Sequence, residues 1–95
     1  MPAAVIRGPG RLEIEEVDVP ALGPTDVLVE VERCGVCGSD LHLVLDGWAS
    51  PGTVPGHEWT GTVAAVGEAV RRWAPGDPVV GGGPLRCGEC RHCRD

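Results

Sequence analysis

Three groups of side chains in this 95-residue chain have the types and spacing to do chemistry. The first is Cys34-Gly35-Val36-Cys37-Gly38-Ser39-Asp40-Leu41-His42, which sets thiols, a hydroxyl, a carboxylate and an imidazole in one short segment. A cysteine at a helix N-terminus ionises more readily because the helix dipole favours its anion, and the thiolate is the form that binds a metal. The second group, Gly56-His57-Glu58-Trp59-Thr60-Gly61, places an imidazole directly before a carboxylate. The third, Cys87-x-x-Cys90-x-x-Cys93, spaces three thiols closely enough to wrap one tetrahedral metal.

Each of these residues has a plainer reading in isolation. Cys37 alone is a small buried residue beside a helix cap, and His57 alone is a hydrogen-bonded structural histidine. Taken together, the two shift the balance towards metal binding. Successive residues of a regular strand face opposite ways, so only one of His57 and Glu58 is expected to face a given metal squarely. His92 reads as exposed. The spacing at Cys87, Cys90 and Cys93 also opens the bacterial ferredoxin run, which needs a fourth cysteine further on.

The elements that must position these groups are mostly strands. The chain has 15 Gly and 9 Pro, and they fall between short runs of branched apolar residues, as turns do in an all-β domain. Residues 3–7 and 11–17 flank Gly8-Pro9-Gly10 and read as a hairpin, with Leu12 and Ile14 on one face. Val27, Val29 and Val31 alternate with Leu28, Glu30 and Glu32, the pattern of a strand with one buried face. Residues 60–66 form a second such run. Residues 39–45 are the one expected helix, started by Ser39 or Asp40 and stopped by Gly47. From Gly81 onward periodicity ends, so Gly81 to Gly83 read as a loop and the cysteine segment as a lobe shaped by metal. Trp48, Trp59 and Trp73 are expected to be packed. The reading is one compact domain over 1–95, with a cysteine lobe at 87–95 and a sheet curling towards a barrel.

Bulk composition narrows the partners. Eight basic residues, all Arg, face fourteen acidic ones, for a formal charge of -6. Such a chain repels phosphate, and it has no Tyr or Phe to interleave with a basic stripe, so nucleic acid is excluded as a partner. Neither a signal peptide nor a membrane span can be read, which points to the cytoplasm. Five cysteines, an odd count in tight Cys-x-x-Cys spacings, favour metal over disulfides.

The first two clusters and their spacing resemble the medium-chain, zinc-containing alcohol dehydrogenases. Gly35-Val36-Cys37-Gly38-Ser39-Asp40 fits one motif of that family, and Gly56-His57-Glu58 with Gly61, Gly67 and Val70 fits its zinc pattern. The resemblance implies a GroES-like, mainly β domain built as a partly open barrel. It implies that Cys37 and His57 are ligands of a catalytic zinc, with Glu58 an acid close enough to approach the metal. Ser39 would be the hydroxyl touching the substrate oxygen and His42 the relay carrying its proton outward. Asp40 would be the carboxylate behind the metal site. Cys34 matches no ligand position and is expected to be a packed thiol. Cys87, Cys90 and Cys93 would hold a structural zinc with a fourth cysteine beyond Asp95.

The implied reaction moves hydride between an alcohol, or the corresponding carbonyl compound, and NAD or NADP. No glycine-rich strand-turn-helix for a dinucleotide occurs here. The chain is therefore expected to be the opening segment of a longer enzyme, inactive alone, whose whole form is a homo-oligomer. The third catalytic ligand is also missing unless Glu58 serves. Two rival readings stay open: a zinc-binding or protein-docking module without turnover, and an iron-sulfur electron carrier at the cysteine lobe. The second rival leaves Cys37 and His57 unexplained.

Overall fold

The computed structural model describes residues 1–82, 87 and 89–94, the side chains of Cys93 and Arg94 excepted. Strand β1 (Pro2–Gly8) and strand β2 (Arg11–Glu16) form the expected antiparallel hairpin, with Ile6 opposite Leu12 and a register slip between Ile6 and Gly8. Its turn needs Gly10, whose φ of 72° is a conformation side chains resist. Arg7 donates through Nε to Glu15 Oε2 at 2.6 Å across the pair.

A second sheet has the order β3-β4-β5, all antiparallel: β3 (Val27–Cys34), β4 (Trp59–Val66) and β5 (Pro78–Gly81). The turn into β5 is held by Asp77, whose carboxylate accepts the Ala74 N–H at 2.9 Å, and by Gly76 at φ 96°. Gly61 lies where β4 passes close to β3. A Cβ there would strike the Glu30 carbonyl oxygen and stand 2.8 Å from Val29 Cγ1.

Helix α1 (Gly38–Leu45) follows β3 and packs against β2. The Gly10 N–H donates to Val44 O at 2.6 Å, tying the hairpin turn to the helix. Ile6 in turn exchanges hydrogen bonds with the loop after the helix, donating to Thr53 O at 2.9 Å and accepting from Gly52 N–H at 2.7 Å. That loop leads straight to His57.

The family's mainly β architecture is present, and the barrel is open: no ladder joins the two sheets among the described residues. Several local expectations change. The helix is capped by Cys37, two residues before Ser39 and three before Asp40, because Asp40 acts as its third residue and accepts the Cys37 N–H at 2.9 Å. Gly47, at φ 73°, does end it. Among the described residues the buried apolar core is only Val5, Ile6 and Val63. Leu12, Ile14 and Val31 are exposed, the short helix α1 reaching β2 without burying its apolar residues. Trp48 and Trp73 are exposed too, while Trp59 lies over Gly81. Gly81 belongs to β5 rather than a loop, and Gly83 lies outside the described residues. The cysteine lobe contains a short helix α2 (Arg91–Arg94) that aperiodic sequence did not announce. No helix among the described residues is long and apolar enough to cross a membrane.

Candidate metal centre

The end of the β3-β4 ladder builds the site. The last pair is Cys34 with Trp59, and one further bond, Gly35 N–H to Glu58 O at 2.7 Å, clips the two chains together just beyond it. Cys37 leaves β3 on one side of that clip, and His57 and Glu58 approach β4 on the other. Two glycines make the convergence possible. A Cβ on Gly35 would stand 3.3 Å from Glu58 Oε2, and one on Gly56, already at φ 119°, would press to 2.7 Å of Cys34 Sγ.

The result is a thiol, an imidazole and a carboxylate whose donor atoms all lie within 4.8 Å of one another. Cys37 and His57 are half-buried and Glu58 is exposed. The expectation that His57 and Glu58 must face apart does not hold. β4 begins at Trp59, so both residues precede the strand and escape its alternation. Hydrogen bonding from the Ser39 side chain, then from its backbone and from His57, holds the Cys37 thiol below its usual range. The same thiol bond, assisted by the Asp40 charge, holds His57 above the usual imidazole range.

Asp40 stands behind the pair and is 8% exposed. One of its carboxylate oxygens accepts the Cys37 N–H, while Oδ1 is 3.6 Å from His57 Nδ1 and has no hydrogen-bond partner. A buried oxygen aimed at a ring nitrogen is the arrangement that orients a metal-bound imidazole. The donor set suits zinc as well: one thiolate, one imidazole and one carboxylate are its ordinary ligands, and neighbouring donors around tetrahedral zinc lie about 3.5 Å apart. The observed spread needs only a small closure, so the residues fit the ion.

The remaining sequence candidates divide. Ser39 is exposed and lowers the pKa of the neighbouring Cys37 thiol. His42 is exposed and points elsewhere: its Nδ1 is 2.6 Å from Asp46 Oδ2 and its ring stacks on Trp48 at 4.6 Å between centroids. No hydrogen bond joins Ser39 to His42 among the described residues. Asp46 was not singled out from sequence, though its position four residues after His42 on a helix was the available signal. Cys34 is exposed rather than packed, because it ends an edge strand. Cys87 and Cys90 are exposed and adjacent, the Cys90 N–H donating to Cys87 Sγ at 3.3 Å. His92 is exposed, as expected. The Cys93 side chain lies outside the described residues.

Residues 23–95 match the family model of the alcohol dehydrogenase GroES-like domain. The chain belongs to this family. It is similar to the L-threonine 3-dehydrogenase of Stenotrophomonas maltophilia, with 45% identity over 86 residues, which is 85% of this chain and 25% of that protein. Among solved structures it resembles the alcohol dehydrogenase of Thermus sp. ATN1, with 46% identity, a TM-score of 0.87 and coverage of 99% of this chain and 28% of that one. The cobalt- and zinc-bound alcohol dehydrogenase of Pyrobaculum aerophilum gives 39% identity and a TM-score of 0.88, over 99% of this chain and 30% of that one. The chain thus spans about a quarter of the length of the relatives it matches.

Proposed function

We propose that this chain is the metal-bearing part of a zinc-dependent dehydrogenase that moves hydride between a small alcohol, or its carbonyl product, and NAD or NADP. The observation that carries the reading is the convergence of Cys37, His57 and Glu58 donor atoms within 4.8 Å. Family membership supports the reaction class; the donor set supports the metal. The cysteine lobe at Cys87, Cys90 and Cys93 is assigned a second, structural zinc, on its ligand spacing together with the family resemblance.

Cys37 and His57 would hold the catalytic ion, with Glu58 the third donor. Zinc bound there supplies a Lewis acid that makes an alcohol proton easier to lose and polarises a carbonyl. Asp40, whose Oδ1 is 3.6 Å from His57 Nδ1, would accept from that nitrogen once the ring draws in on the metal, which leaves Nε2 to face the donors. Glu58, exposed and carried on irregular backbone, can withdraw to leave an open position for substrate. Ser39, next to the Cys37 sulfur at the helix start, accepts the substrate hydroxyl proton while losing its own through solvent water towards His42. His42, at the solvent-exposed side of α1, passes the proton to water. Hydride capture belongs to the nicotinamide cofactor.

The test is steady-state turnover of the whole protein containing this chain, with primary and secondary alcohols and either cofactor, before and after chelation. Alcohol-dependent formation of reduced nicotinamide that chelation abolishes and zinc restores is the expected result. Activity that survives complete removal of zinc would overturn the proposal.

A further inference from the structure

Helix α1 ends in an arrangement around His42 whose other members, Asp46 and Trp48, the reaction outlined above leaves unused. Asp46, the C-terminal cap, touches His42 twice: its backbone N–H donates to the His42 carbonyl at 3.1 Å, and its Oδ2 is 2.6 Å from His42 Nδ1. Gly47, at φ 73°, then turns the chain back so that Trp48 lies on the His42 ring, 4.6 Å between centroids and 15° from parallel. Trp48 is 68% exposed, so no apolar core holds it there. The imidazole is therefore gripped on one edge and one face although it sits at the surface.

We propose that Asp46 is a positioning residue for His42, fixing the ring tautomer so that Nε2 is the sole proton acceptor; this rests on the reading of His42 as the proton relay. The argument is one of donors and acceptors. A carboxylate accepts hydrogen bonds and does not donate them, so the 2.6 Å contact requires the hydrogen on Nδ1. A neutral imidazole carries one ring hydrogen, which leaves the lone pair on Nε2. Trp48 limits rotation about the side-chain axis and keeps that lone pair on the side away from Asp46. In the forward step the substrate hydroxyl gives its proton to Ser39 Oγ, the Ser39 proton passes through solvent water to Nε2, and the imidazolium keeps its Nδ1 hydrogen on Asp46. The added proton leaves from Nε2 to water, and no electrons are exchanged with the protein.

The experiment compares Asp46→Ala, Asp46→Asn and His42→Gln in the whole zinc-loaded protein. Two readouts are taken: nitrogen NMR of the histidine rings, labelled selectively, and turnover with its KM. In the native protein the spectrum should show Nδ1 protonated and Nε2 bare for His42. Asp46→Ala should move the tautomer population towards Nε2–H and lower kcat by about threefold to tenfold with little change in KM, the range of an ordinary hydrogen bond. Asp46→Asn keeps an oxygen that accepts from Nδ1 and should preserve both the tautomer and most of the turnover. An unchanged tautomer in Asp46→Ala would overturn the proposal, as would equal losses in the Ala and Asn variants. Near-normal turnover in His42→Gln would instead overturn the relay reading, and the tautomer of Asp46→Ala would still judge Asp46 by itself.

Discussion

Asp40 gives the sharpest separation between holding the helix and holding the metal. Its carboxylate is 8% exposed, accepts the Cys37 N–H at 2.9 Å and leaves Oδ1 3.6 Å from His57 Nδ1 without a hydrogen-bond partner. A hydrogen bond to a charged group contributes about 1.5–3 kcal/mol, and losing a cap costs about 1 kcal/mol. These describe the same bond, so Asp40→Ala should destabilise by about 2 kcal/mol. Loss of the carboxylate behind a metal-bound histidine lowers metal affinity by about 10–100-fold. Asp40→Asn divides the two effects. Its amide oxygen still accepts from Cys37 N–H, so the thermal midpoint should stay near the native value, while the missing charge towards His57 should weaken zinc binding almost as much as Ala does. Competition against a fluorescent zinc chelator measures the affinity, and thermal unfolding of the zinc-free protein measures the stability. Unchanged zinc affinity in both variants would refute the argument that Asp40 orients His57 for the metal.

Other outcomes follow from the same geometry. Gly61→Ala sets a methyl group against the Glu30 carbonyl oxygen, a backbone atom that cannot step aside, so it should cost at least the 1–3 kcal/mol typical of overpacking; a native-like denaturation midpoint would contradict the close β3-β4 passage. Arg7 holds Glu15 below the usual carboxylate range by its hydrogen bond, so the folded protein gains stability above the unfolded Glu15 range and loses it as pH falls through the lowered folded value. Stability of Arg7→Gln should therefore differ from native near neutral pH and converge with it in acid, and curves that stay parallel throughout would count against the pair.

The hairpin was legible because Gly8-Pro9-Gly10 can only turn, and the helix because Gly47 can only stop it. Cys37 and His57 were legible as chemistry but not as neighbours. What brings them together is the register that pairs Cys34 with Trp59, a non-local fact that no window of sequence contains. The same boundary decided Glu58: alternation was applied to a strand that starts one residue later, so two side chains expected to diverge converge. Asp40 was seen as the carboxylate behind the site, yet its second role in capping the helix through Cys37 N–H appears only once the cap is known. Burial was read least well. Val31 carries the pattern of a buried strand face and is exposed, because alternation reports which side a residue faces and not whether anything covers it.

The central claim is that Cys37 holds a catalytic zinc at a site separate from the cysteine lobe. The measurement that tests it most directly is metal content and turnover of Cys37→Ala beside Cys87→Ala, both in the whole protein. Cys37→Ala keeps the backbone N–H that Asp40 accepts, so the fold should survive while the zinc of that site and the turnover are lost together and the other zinc remains. Cys87→Ala should lose stability first. Full zinc content with near-normal turnover in Cys37→Ala would contradict the account, and loss of both metals in both variants would end the division into two sites.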